Sequence, residues 1–178
     1  MREQIDVLDA NCAKTGEIEL YDAVHKKGFW HKTVHVWVMN SKDELLVQQR
    51  SPKKVTSPNK WDISIAGHVS AGQMPEEAIL REANEETGMD FSSSQPKYLF
   101  SVKTQGIHRN GAYINNECQN VYLLKKDLDL NSLSFDPDEV SGFKYIAWQD
   151  LKKKIEAEDD SFASHPEEYK KLFEILEK

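Results

Sequence analysis

The sequence predicts one α/β or α+β domain, on three observations. Runs of β-type residues flank a single well-delimited helix, two amphipathic helices close the sequence, and no repeat, low-complexity tract or long linker interrupts the 178 residues. A chain of this length buries about 70 % of the surface its unfolded form exposes, enough to hold a core without disulfides or a structural metal.

The elements follow in order. Ile5 to Leu8 alternates in polarity, and the turn chemistry of Asp9-Ala10-Asn11 and Thr15-Gly16 leads to Ile18-Glu19-Leu20, which predicts a hairpin. His25 to His31 reads as a polar connector with two large aromatics, Phe29 and Trp30. Thr33 to Met39 is β-branched and nearly continuous in apolar character, as a buried strand is, and Leu45 to Gln48 reads as its hairpin partner. A Pro- and Lys-containing loop, Ser51 to Lys60, precedes a short strand at Trp61 to Ile65. Pro75 to Thr87 is helical: Pro75 suits the first helical position, Glu76 and Glu77 the positive end of the dipole, and Gly88 the left-handed residue after the end. Lys97 to Thr104, Glu117 to Leu124 and Gly142 to Trp148 read as strands. Gln149 to Glu158 and Pro166 to Lys178 read as helices, the last with Tyr169, Leu172, Phe173 and Leu176 at helical spacing.

Composition excludes some functions. The 23 basic and 30 acidic side chains leave a formal charge of −7, which argues against a general nucleic-acid binder, because phosphate backbones are gripped by clustered Lys and Arg. A small phosphorylated ligand remains compatible, since a bound cation can meet its charge. No apolar run approaches a membrane span or a signal peptide. Cys12 and Cys118 lack both a disulfide framework and metal-ligand spacing. The expectation is a soluble, reduced, cytoplasmic protein, monomer or homodimer, with Cys118 a buried small hydrophobe and Trp30, Trp37, Trp61 and Trp148 in the core or a pocket wall.

The chemistry concentrates in the central helix. At 100° per residue, Glu82, Glu85 and Glu86 share a face beside the apolar stripe of Ile79, Leu80 and Ala83, with Ala78 small enough to leave room. Like charges at this spacing repel by a few tenths of a kcal/mol per pair. A hard cation such as Mg²⁺ or Mn²⁺ removes that cost and bridges naturally to phosphate oxygens. An acidic face that merely meets solvent is the plainer alternative.

The flanking residues favour the cation. Gly67 to Met89 resembles the Nudix box, G-x5-E-x7-R-E-U-x-E-E-x-G-U with U a bulky aliphatic: Gly67, Arg81, Glu82, Glu85, Glu86 and Gly88 match, while Gln73 and Ala83 depart. The resemblance implies a Nudix-type α/β/α sandwich with a mixed β-sheet. It further implies a single domain over 1–178, with an N-terminal hairpin extension over about 1–32, the box at 67–89 and C-terminal helices over about 149–178. It implies metal-dependent hydrolysis of a diphosphate linkage in a small-molecule substrate, with Glu82, Glu85 and Glu86 as metal ligands. Arg81 would orient a glutamate, Gly67 would lend backbone to the metal site, and Gly88 would release the chain from the helix. Because Gln73 brings no charge, another carboxylate has to supply part of the chemistry, and Glu139, in an acidic turn, is a candidate catalytic group alongside the box glutamates and Arg81. His68, Gly67 and Arg50 are candidates to meet the substrate phosphates.

The surroundings of the box look closer to one branch, type 1 isopentenyl-diphosphate isomerase and similar Nudix proteins. His25, His31 and Glu117 stand where that enzyme places metal ligands, but Asn115 replaces one ligand and Ala66 stands where it has a proton-moving cysteine. Alanine moves no proton, so isomerisation by that route is not expected. A non-catalytic module that binds a nucleotide or diphosphate is a third reading, motivated by Gln73.

Overall fold

A computed structural model describes residues 3–92 and 95–178; Met1 and Arg2, the start of the expected N-terminal extension, lie outside the described residues. The strands are β1 (Gln4–Leu8), β2 (Lys14–Leu20), β3 (Trp30–Met39), β4 (Glu44–Arg50), β5 (Trp61–Asp62), β6 (Ile65–His68), β7 (Lys97–His108), β8 (Tyr113–Lys125) and β9 (Val140–Ala147). The helices are α1 (Tyr21–Lys27), α2 (Pro75–Thr87), α3 (Trp148–Glu156) and α4 (Pro166–Leu176). No helix among the described residues is long and apolar enough to cross a membrane.

Strand β3 is the axis. It runs parallel to β8 in unbroken register from Trp30 opposite Asn116 to Met39 opposite Lys125, and antiparallel to β6, with Thr33 opposite His68 and His35 opposite Ala66. Strand β7 extends this mixed sheet beyond β8. The sequence predicted β4 as the hairpin partner of β3, yet the two meet at Met39 and Leu45, after which β4 diverges to pair with β9 along its length and with β5 at its end. That divergence opens the sheet between β6 and β4.

Side chains alternate across a strand, and β3 uses both faces. Val34, Val36 and Val38 pack with Ile65, Ile79 and Ala83 under α2, while Trp37 and Met39 pack with Leu151, Tyr169, Leu172 and Phe173 under α3 and α4. The result is a helix–sheet–helix sandwich. On the second face the apolar cover stops short of the N-terminal half of β3, so Thr33 and His35 face a cleft. Ala78, expected to leave room beside the carboxylates, instead belongs to the core under α2, as does Ala83, whose small volume is packed by neighbours that include Phe91.

Helix α2 is bounded as predicted. Glu77 accepts from the Met74 amide at 2.8 Å, and Gly88 takes φ 68° with its amide on the Asn84 carbonyl, a conformation that favours glycine. Two expectations near the N-terminus fail. The connector expected over His25 to His31 instead holds the last turn of α1 and the start of β3, and both histidines are buried, His25 against Tyr21 and Tyr113 and His31 within β3. The cysteines are not free thiols: Cys12 is bonded to Cys118, joining the β1–β2 turn to β8. The Asp9 carboxylate winds that turn by accepting from Asn11 and Ala13, and Lys103 of β7 bonds the Ala10 carbonyl. Contacts 106 residues apart in sequence leave no local trace, and the expectation of reduced cysteines is overturned with them.

Candidate active site

A cleft of about 990 Å³ opens where the sheet divides, and the box glutamates, His68, Arg50 and Glu139 all line it. Their settings differ. Gly67 lets Glu82 press against the strand, since a Cβ there would lie 1.9 Å from the Glu82 Cδ. Arg81 binds Glu82 at 2.8 Å and Glu85 at 3.1 Å, and anchors itself on the His68 carbonyl at 2.7 Å. Glu86 receives neutral donors, the Ala66 amide at 3.1 Å and the Gln48 amide at 3.3 Å. Burial, which Arg81 offsets only in part, and the neighbouring Glu85 push the Glu82 carboxyl up to about 7. Burial and the charge of Glu82 push Glu86 to about 8. Glu85 is mostly exposed and held by Arg81.

Gln73 does not reach this group. Its side chain accepts from the Ser70 amide at 3.2 Å and closes its own turn. The sequence reading missed Glu3, which enters the cleft beside Arg81 at 3.7 Å and accepts from Ser70. Arg50 lines the cleft, but its guanidinium holds the following loop, donating to the Thr56 carbonyl, the Thr56 hydroxyl and Asp62. Glu139 stands at the rim in an ion pair with Lys54.

A second cluster adjoins the first. His25, His31 and His68 bring ring nitrogens within 4.8 Å of one another, and Glu117 Oε1 lies 3.9 Å from His31 Nε2. His31 donates from Nδ1 to the Phe29 carbonyl, which leaves Nε2 as a lone pair; it is buried without a partner, as is His68 Nε2. Burial and the adjacent His31 push His25 down to about 4 and His68 to about 3. Burial opposes ionisation of Glu117, but His31, His35 and His68 outweigh it and hold the carboxyl at about 2. The ring nitrogens of His25, His31 and His68 beside the Glu117 carboxylate form a donor set for a divalent cation, and the unpartnered nitrogens fit one. His68 therefore groups with the imidazoles and stacks on His31.

Deeper in the cleft lie groups that the sequence reading did not single out. Glu168 of α4 accepts from His35 Nδ1 at 2.7 Å and from Trp37 Nε1 at 2.8 Å. Asp62 of β5 accepts from His165 at 2.8 Å and Arg50 at 3.1 Å. One signal was available for the first pair: Glu168 stands four residues before Leu172, on the apolar face of the last helix, and His35 interrupts an apolar strand.

The NUDIX domain profile matches residues 29–165. The chain belongs to the Nudix family. It is 34 % identical over 179 residues to Nudix hydrolase 3 of Arabidopsis thaliana, covering 98 % of this chain and 23 % of that much longer protein. It is 27 % identical over 161 residues to an isopentenyl-diphosphate Δ-isomerase of Escherichia coli, covering 90 % and 86 %. A crystal structure from Deinococcus radiodurans shares the fold, with a TM-score of 0.71 at 24 % identity over 94 % of this chain and 96 % of that one. The Nudix fold and the likeness to the isomerase branch, both implied by the box and its surroundings, therefore hold.

Proposed function

We propose that this Nudix protein is a divalent-cation-dependent pyrophosphohydrolase that cleaves a diphosphate linkage in a small phosphorylated metabolite. The observation that carries the reading is the pair Glu82 and Glu86. Both line the cleft, and burial together with a neighbouring glutamate makes both ionise reluctantly. Together with Glu85 they would hold Mg²⁺ or Mn²⁺, and the imidazole cluster with Glu117 would hold a second divalent ion. When bound, such ions neutralise diphosphate charge and supply Lewis acidity.

The remaining roles belong to the chain itself. Arg81 fixes the rotamers of Glu82 and Glu85 against the His68 carbonyl, and Gly67 removes the Cβ that would expel Glu82. Gln48 and the Ala66 amide aim Glu86. Arg50 braces the loop that carries Lys53 and Lys54 over the cleft, and Glu139 holds Lys54 at the rim, where it can meet a substrate phosphate. The N-terminal hairpin and α1 supply Glu3 and His25, so the extension is part of the working site.

The isomerase reading lacks its proton carrier, because the side chain of Ala66 is a methyl group and only its backbone amide meets Glu86. The test is a mass-spectrometric screen of nucleoside diphosphate derivatives, dinucleotides and prenyl diphosphates with Mg²⁺ or Mn²⁺. Release of phosphate or a monophosphate from at least one compound is expected, with no conversion of isopentenyl to dimethylallyl diphosphate. Metal-dependent binding without turnover across the panel would instead make the chain a binding module.

A further inference from the structure

The cleft floor next to the cation-binding groups contains polar atoms that the fold leaves without partners. Thr33 and Gln119 are direct neighbours across β3 and β8. Both are 2 % exposed and both line the cleft. Yet Thr33 Oγ1 and Gln119 Oε1 have no hydrogen-bond partner, neither each other nor anything else. Gln119 is fixed in orientation, because its Nε2 donates to Glu117 at 2.6 Å and turns Oε1 away from that carboxylate. One step along β3, His35 also lines the cleft, and its ring is held by the Nδ1 bond to Glu168. Glu168 is itself locked on Trp37 Nε1. A carboxylate only accepts, so His35 carries its proton on Nδ1 and turns Nε2 to the cleft.

Buried polar atoms without partners are costly and uncommon in native proteins. Here they are adjacent, rigidly held and open to the same cavity, so a ligand is the natural partner. Their chemistry specifies it. Gln119 Oε1 accepts, the Thr33 hydroxyl does either, and the His35 Nε2 edge offers a third polar group. An apolar tail would leave all three unpaired; hydroxyl or amino groups would satisfy them. Resting on the diphosphate reading above, we propose that Thr33, His35 and Gln119 form the specificity wall of the cleft. This wall takes a hydroxyl- or amino-bearing organic group joined to the diphosphate and rejects an unfunctionalised hydrocarbon one. Glu168 acts as a positioning residue through His35.

The test measures binding by calorimetry with Ca²⁺, so that it does not depend on turnover. The probes are inorganic pyrophosphate, ADP-ribose, UDP-glucose and geranyl diphosphate, applied to the wild type, Thr33→Ser, Thr33→Val and the Thr33→Val/Gln119→Met pair. At least one sugar-linked probe should bind at least tenfold more tightly than geranyl diphosphate. The double variant should lower the ratio of that affinity to the pyrophosphate affinity by ten- to a hundredfold. Thr33→Ser, which keeps the hydroxyl, should stay within threefold of the wild type, and the melting temperature of each variant shows whether it is folded. The proposal is overturned if geranyl diphosphate binds as tightly as the sugar-linked probes, if none of these exceeds pyrophosphate, or if a folded double variant keeps the wild-type ratio. Failure of the hydrolase reading is a separate result: absence of turnover with Mg²⁺ or Mn²⁺ while the binding contrast persists.

Discussion

Two sets of carboxylates share one cleft and ionise in opposite senses. Glu82 and Glu86 on α2 are pushed up to about 7 and about 8, whereas Glu117, Asp62 and Glu168 are all held below the ordinary carboxylate range. Burial acts against ionisation in every case. The difference is the company each keeps. Glu168 faces His35, and Asp62 faces His165 and Arg50, so the fold itself completes their charge, whereas Glu117 belongs with the imidazoles of the second candidate cation site. Glu86 has only neutral donors, and Glu82 shares a single guanidinium with Glu85. The Asp62 and Glu168 pairs are balanced within the fold; the box set has less positive charge beside it, which the proposed cation would supply.

The contrast breaks most sharply at Glu86. Glu86→Gln keeps the shape and the hydrogen bonding to Ala66 but removes the charge that the cation requires. A thousandfold or greater loss of kcat on the best substrate is expected, with the melting temperature of the metal-free protein unchanged or raised. Glu85→Gln, on the exposed flank of the same helix, should cost tenfold or less. Equal losses from the two variants would dissolve the distinction between them.

On the inner set the same kind of substitution acts on stability. Removing one partner of a buried ion pair strands the other, typically at about 3–5 kcal/mol. Asp62→Asn should destabilise the fold by that order in denaturant titrations. It should also bring His165, which burial opposes but Asp62 holds charged up to about 9, down to or below its ordinary value, as read from imidazole proton shifts in NMR. A loss under 1 kcal/mol would mean that solvent already reaches the pair.

Stability against pH follows from both sets. His165 is raised from 6.5 to about 9, so its contribution is full below pH 6.5 and is lost as pH climbs through 9. Glu82 and Glu86 are raised from 4.5, so the folded state holds more protons than the unfolded state between about 4.5 and 8, and stability falls as pH rises through that window. His25 and His68, lowered to about 4 and about 3, act in the opposite sense as pH rises to about 6.5. The net loss in metal-free protein should therefore fall between about pH 6.5 and 8, on the order of 2 kcal/mol or roughly 4–8 °C in melting temperature. Mg²⁺ or Mn²⁺ should flatten the carboxylate part of that slope, and Glu86→Gln should flatten it without metal. A metal-free melting temperature level across this range would contradict the raised carboxyls.

How legible each region was in the sequence follows the same division. The box set lies on one helix, where local spacing places Glu82, Glu85 and Glu86 together, and the bounds of α2 follow from Pro75 and Gly88. The inner set is assembled from β3, β5, β8 and α4, and no local pattern reports that His35 meets Glu168, 133 residues away. The same holds for Cys12 with Cys118, and for β4, whose partner β9 is separated from it in sequence by β5 to β8. Gln73, the departure from the motif, accepts from the Ser70 amide and closes its own turn, a contact that the motif position alone does not report.

Glu139 sharpens the comparison at its weakest end, because it belongs to neither set. It stands half-exposed on the rim, paired with Lys54, and solvent screening limits an exposed ion pair to about 1 kcal/mol or less. Glu139→Gln should leave the melting temperature within 2 °C and lower kcat/KM by less than about tenfold, through a higher KM as Lys54 loses its restraint. General-base removal would act differently, lowering kcat by about 10² to 10⁴ and erasing the acidic limb of the pH profile. That result would place proton abstraction at the rim, and the raised carboxyls of Glu82 and Glu86 would then serve cation binding alone.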